Sequence, residues 1–146
     1  MTTVPPSGRG ASPAGRPAVP PGFNCPRVRL VEARGRQVIL FDLAGMQSEA
    51  EMVALVQGPF RQFMDAQRPG AGLLTMVDTS DTPTSPGAVS ALRDFAQRNT
   101  PLVAASAVAA DRPMHRLSVS TIAMFTKRKI RAFADRAAAL EWLSTQ

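Results

Sequence analysis

The spacing of apolar residues changes several times along this chain, and each change marks an element. Arg27-Val28-Arg29-Leu30-Val31-Glu32 alternates polar and apolar side chains, the period-two pattern of a half-exposed strand. Gln37-Val38-Ile39-Leu40-Phe41-Asp42-Leu43 is more apolar, so a second and more buried strand is expected there. Ala33-Arg34-Gly35-Arg36 makes the turn, and the pair reads as a hairpin. Ser48-Glu49-Ala50-Glu51 matches a capping box, in which the serine accepts from the N3 amide and the glutamate reaches back. The helix it opens has Met52, Val53, Val56, Phe60, Phe63 and Met64 at apolar positions. Gly58-Pro59 falls inside it. Proline removes one donor and clashes with the preceding turn, which predicts a kink or a split near residue 58.

Gly72-Leu73-Leu74-Thr75-Met76-Val77-Asp78 is a short apolar run bounded by glycine and a polar loop, as expected of a buried central strand. After the loop, Ser85-Pro86 supplies an N-cap with proline at the first helical position. Val89, Leu92, Phe95 and Ala96 share one face of that helix, and Arg98, Asn99 and Pro101 mark its end. Pro101–Ala110 is apolar with small side chains. Alanine propensity alone would allow a helix, but two valines and a place between two better helices favour a strand. Pro113 opens a helix with Met114, Leu117, Ile122 and Phe125 on its apolar side. Lys129-Ile130-Arg131-Ala132-Phe133 is a last strand. Asp135 caps a final helix anchored by Ala139, Leu140, Trp142 and Leu143, with Trp142 expected in the core.

The order is therefore β-β-α-β-α-β-α-β-α. Alternating strands and helices imply parallel pairs joined by right-handed crossovers, and the first hairpin adds one antiparallel pair. The expected fold is α/β: a single mixed sheet covered by helices.

Composition divides the chain in two. Seven of the 13 prolines and four of the ten glycines lie in residues 1–26, where almost no large apolar residue is available for burial. A disordered tail over 1–25 and one folded domain over 26–146 are expected. The single cysteine, Cys25, excludes an internal disulfide, and with one histidine, His115, a Cys/His metal centre is not expected. No run approaches the length of a membrane span and the N-terminus has no apolar signal region, so a cytoplasmic protein is expected.

The formal charge of +6 is uneven. Residues 1–26 carry +2, residues 27–110 balance, and residues 111–146 carry +4. A basic surface attracts acidic proteins, anionic lipid headgroups or nucleic acid. With no tyrosine and a single tryptophan, the chain lacks the exposed aromatics that stack on bases, so nucleic acid is not the expected partner.

Two candidate sites follow. The first is the polar loop after the central strand, with Asp78, Ser80, Asp81, Thr84 and Ser85. Ligand sites of α/β sheets collect at this end of the strands, and a helix N-terminus there offers free amides to an anion. Turn-forming and capping roles account for the same residues. The second is a basic stripe: Arg112, Arg116, Ser120 and Lys127 recur at steps of four and seven, on one side of a helix, with Arg128 and Lys129 beside them. His115 sits near the start of that helix with an exposed flank. No glycine-rich phosphate loop and no Ser-His-acid arrangement emerges, so neither an enzyme nor a cofactor is expected.

Three strings, LLTMVDTS at residues 73–80, ALRDFAQRNTPLVAASAV at 91–108 and TKRKIRAFADRAAALEWL at 126–143, resemble the SpoIIAA-like proteins, a bacterial group related to STAS and CRAL-TRIO domains. The resemblance covers about residues 27–144 and omits the tail. It implies a STAS-like mixed sheet, mostly without assigned chemistry. Related STAS proteins act as binding modules in signalling. In some, a serine at the start of the helix after a central strand is phosphorylated, in a loop ending Asp-Ser-Ser-Gly or similar. Here Thr84-Ser85-Pro86-Gly87 lies at that place, and only Ser85 takes the corresponding position. The implied function is a non-enzymatic protein-interaction module in bacterial signalling. The alternative is a carrier of a lipid or other apolar ligand, since other relatives hold a lipid. Met52, Met64, Met76, Met114 and Met124 would then line its cavity, methionine being adaptable in shape.

Overall fold

A computed structural model describes residues 15–83 and 85–146, without the side chain of Phe125. The elements are β1 (Val28–Ala33), β2 (Arg36–Asp42), α1 (Glu49–Leu55), a π-helical turn (Val56–Phe60), α2 (Arg61–Asp65), β3 (Leu73–Asp78), α3 (Pro86–Arg98), β4 (Val103–Ala109), α4 (Pro113–Thr126), β5 (Ile130–Phe133) and α5 (Arg136–Leu143).

The β1–β2 hairpin closes through Arg34 and Gly35, both at positive φ (51° and 81°). Two successive left-handed residues match the twist of the flanking strands, which is why a two-residue turn suffices. The strands pair in chain order, β1-β2-β3-β4-β5, with β1 antiparallel to β2 and every later pair parallel. Asp42, Asp78, Ala109 and Phe133 are successive register partners at the carboxyl ends of β2 to β5. Because each crossover steps one strand in the same direction, right-handed connections place α1 to α4 on one face. α5, the last element, covers the other.

Alternation along the strands divides the core accordingly. Ile39, Phe41 and Leu73 pack under α1–α3 with Phe60, Phe63 and Phe95, and Phe41 lies 4.9 Å from Phe60 and 5.2 Å from Phe95 between ring centres. Val38, Leu40, Leu74, Met76, Ala105 and Ala107 face α5, where Ala139 and Leu143 are fully buried. The small side chains of β4 let α5 approach closely. Trp142 is only half-buried, lying 5.6 Å from Phe133 and under the Arg131 guanidinium, so Leu143 rather than Trp142 anchors this helix.

Gly58-Pro59 produces neither a simple kink nor a break. The helix widens into one π turn, which absorbs the missing proline donor while Val56 and Phe60 stay buried. The caps form as expected: Ser48 accepts from the Glu51 amide, Ser85 from Ala88 and Asp135 from Ala138.

Two expectations need correction. Residues 15–25 belong to the folded body, which therefore does not begin at residue 26. The Gly15 amide donates to Ala71, Ala18 exchanges two hydrogen bonds with the Gln67 side chain, and Phe23 packs edge-on against Phe63 at 5.2 Å. Residues 1–14 of the expected tail lie outside the described residues. The second concerns α4. Met114 and Leu117 are 60% and 63% exposed, Met124 is 80% exposed, and the buried side carries His115 and Val119, with Ser118 and Ile122 beside them. Its inward face is thus rotated from the one the larger apolar residues suggest.

Candidate functional site

On the α1–α4 face, β3 and β4 present Thr75, Val77, Ser106 and Val108, smaller side chains than the phenylalanines farther along the sheet. They leave a cavity of about 90 Å³, floored by these residues and Ile130 and roofed by Leu92 and Ala96 of α3 and Val119 and Ile122 of α4. Of the five methionines expected to line such a space, only Met52 does. Met64 and Met76 are core residues on opposite faces of the sheet, while Met114 and Met124 face outward.

Arg128 reaches into this cavity. Lys127 ends α4 in the left-handed conformation (φ 53°), and the next residue turns back beneath the helix. The guanidinium donates to the Ala96 carbonyl at 2.6 Å and to Ser106 Oγ at 2.7 Å, and Ser106 Oγ lies 2.7 Å from Thr75 Oγ1. No carboxylate among the described residues pairs with it. Burial disfavours its charged form and lowers its pKa to about 10.

His115 lines the same cavity and is 7% exposed. Its Nδ1 is buried and has no hydrogen-bond partner. Burial lowers the histidine pKa, as does the charge of Arg112, while the Asp111 charge and the Pro83 backbone oppose them without prevailing.

The polar loop is committed elsewhere. Asp78 does not converge with Asp81. Its Oδ2 pairs with Arg136 Nε, and its Oδ1 accepts from the Ser80 amide at 2.9 Å. Arg136 also holds Asp42 at 2.9 Å, and Arg29 adds a second cation to Asp42 at 3.0 Å. Burial works against the Arg136 charge, but its bonds to Asp78 and Asp42 outweigh that and its pKa rises. Asp81 adopts φ 55°, donates its amide to Asp111 and accepts from Gln47 at its carbonyl. Thr84 lies outside the described residues. Among the described residues, no three His, Cys, Asp or Glu side chains gather as metal ligands.

The anion position at the start of α3 is filled by the chain itself. Ser85 Oγ donates to Glu49 Oε1, which also accepts the Gly87 amide at 3.2 Å. A phosphoryl group on Ser85 would meet that carboxylate, so the modification that the resemblance implies requires Glu49 to leave.

The basic stripe does not assemble as one surface. Arg112, Lys127 and Lys129 are exposed, but Arg116 Nη1 is bound to the Ala110 carbonyl at 2.7 Å and Arg128 is partly buried, turned toward the cavity. Ser85, His115 and Arg128 are what the fold brings to one cavity. For His115 the signal was present in the chain: 115, 119 and 122 share a helical face with 118 between them, a set masked by the larger Met114 and Leu117. For Arg128 there was none, since its direction depends on the backbone of Lys127.

No protein-family model matches the chain, and no curated protein matches it. Among solved structures it is similar to an uncharacterised DUF3478-family protein with a SpoIIAA-like fold from Shewanella loihica PV-4. The TM-score is 0.59 at 13% identity, over 80% of this chain and 91% of that one. No helix among the described residues is long and apolar enough to cross a membrane. The shared architecture, one mixed five-stranded sheet with its antiparallel pair at the start, identifies the chain's fold as SpoIIAA-like.

Proposed function

We propose that this chain is a non-catalytic, cytoplasmic binding module that holds a small apolar molecule between the sheet and helices α3 and α4. The observation that carries this reading is the cavity with a partly buried Arg128 at its wall that no carboxylate among the described residues pairs with. A partly desolvated charge without a counter-ion carries a cost that folding alone does not call for. Size narrows the ligand. The cavity of about 90 Å³ is smaller than the roughly 150 Å³ apolar void that accepts benzene, so a short molecule fits and a long acyl chain does not without displacement of α4. Melting in benzene-saturated buffer and native mass spectrometry of gently purified protein test the reading. A raised melting temperature or a small bound mass supports it; an unchanged melting curve together with a bare mass overturns it.

A second reading is favoured by the outer face of α4. Met114, Leu117 and Met124 form an exposed apolar strip, with Arg112 at one end and Lys127 and Lys129 at the other. This suits an acidic protein partner with an apolar centre, as a regulatory module in bacterial signalling requires. Reversing Arg112 and Lys127 to glutamate should leave the melting curve near wild type and weaken capture of that partner, with wild-type capture fading as salt rises. Equal capture by the reversed variant removes this reading.

A further inference from the structure

The exposed apolar residues of α4 are ordered, not scattered. We infer that the partner of this face is an acidic amphipathic helix of about four turns, laid lengthwise along Met114, Leu117, Thr121 and Met124. This rests on the reading that the outer face of α4 docks an acidic protein, and adds the shape that protein presents.

Spacing argues for a helix. The four residues recur at steps of three, four and three, and all are exposed. A single file at that spacing is the seam along which two helices pack at a small crossing angle. It is narrower than the broad apolar face, edged with cations, by which a helix lies on lipid. Here the neighbours along the seam are Ser118 and Ser120. The hydroxyls of Ser118, Ser120 and Thr121 each donate to the carbonyl four residues back, at 3.2 Å. Covering the seam therefore leaves none of these protons without an acceptor.

Charge selects the occupant. Arg112 stands at one end of the seam and Lys127 and Lys129 at the other, and the ion pairs of the described residues involve none of the three. Asp111, beside Arg112, already accepts the Asp81 amide. A second copy of this chain would bring like charges together in either orientation. A parallel pair sets Arg112 against Arg112 and Lys127 against Lys127, and an antiparallel pair sets Arg112 against Lys127. An acidic helix matches both ends. Arg112 and Lys127 flank the seam about 22 Å apart along the helix axis, so the acids of the partner belong at its two ends.

Fluorescence anisotropy of labelled synthetic peptides with the full chain tests the assignment. A peptide of about 18 residues, with leucines at alternating steps of three and four and glutamates at both ends, should bind at low salt. Its counterpart with lysines at the ends should bind at least tenfold more weakly, and so should an acidic version interrupted by prolines, which cannot form the helix. Leu117→Asp, at an exposed position, should keep the melting curve near wild type and lose the acidic peptide. Arg112→Glu combined with Lys127→Glu should turn the preference toward the lysine peptide. Equal binding of the helical and proline-interrupted peptides overturns the helix while leaving an acidic partner in place. Equal binding of the acidic and lysine peptides, no binding of any peptide, or binding only to vesicles of phosphatidylcholine and phosphatidylserine in equal parts overturns both. The wild-type comparison decides the matter even if a variant fails to fold.

Discussion

Glu49 of α1 closes the start of α3 by accepting the hydroxyl proton of Ser85 and the amide of Gly87. The carboxylate stands where the first amides of α3 favour negative charge, and it ties two helices that are far apart in sequence. Gly87 has no side chain because there is no room: a Cβ would lie 2.7 Å from Glu49 Cδ. Glu49→Ala should therefore cost about 1 kcal/mol. Gly87→Ala should cost more in wild type than in the Glu49→Ala background, where the obstructing carboxylate is gone. Chemical denaturation of the four proteins in this cycle checks it, and strictly additive effects would contradict the contact.

Arg128→Met should raise stability, or at worst leave it unchanged. The substitution removes a partly buried, unmatched cation and puts a flexible apolar chain of similar length into an apolar cavity, a gain of up to about 1 kcal/mol and a few degrees of melting temperature. Ser106 retains Thr75 as its partner. A large loss would show instead that Arg128 braces α3 against β4.

Acid should weaken the domain through His115. Its folded pKa lies below the ordinary value of 6.5, so below that value the unfolded chain binds more protons than the folded one. Stability is intact above pH 6.5 and falls as the pH drops from there toward the folded pKa. The slope is at most about 1.4 kcal/mol per pH unit, the limit for one proton. Denaturation midpoints between pH 7 and about pH 5, above the ordinary carboxylate range, isolate this group. His115→Phe should flatten that stretch of the profile. An unchanged slope would place the titration elsewhere.

Truncation to begin at Cys25 should lower the melting temperature by several degrees. It removes the Gly15–Ala71 hydrogen bond, the paired bonds of Ala18 to Gln67 and the Phe23–Phe63 contact. It also leaves Gln67, 8% exposed, with polar atoms to satisfy, a loss of about 1–3 kcal/mol. An unchanged melting curve would mean that this segment is not held in solution.

Much was legible along the chain because it is local. Ser48, Ser85 and Asp135 each serve the amides three residues ahead, and a cap depends only on neighbours. The alternation of Val38-Ile39-Leu40-Phe41 assigns two faces to β2 whatever covers them. The Val103–Ala109 run became a strand against its alanine propensity, as its place between two helices suggested. Thus the order of elements, the caps and the mixed sheet were all expected from the residues themselves.

The site was not, because each of its parts depends on what arrives from elsewhere. Helix α4 has two plausible inward faces, and packing beside α3 over β4 and β5 selected the one with His115 and Val119 while leaving Met114 and Leu117 outside. Asp78 is an unremarkable loop acid until Arg136, 58 residues later, docks from the opposite side of the sheet. Arg128 reads as one more surface cation in a Lys-Arg-Lys run. Its burial follows from the left-handed turn at Lys127 and from the gap that Thr75, Ser106 and Val108 leave beneath it. Spacing along a chain specifies which side chains share a face; only the assembled layers determine whether that face meets solvent, another helix or an empty space.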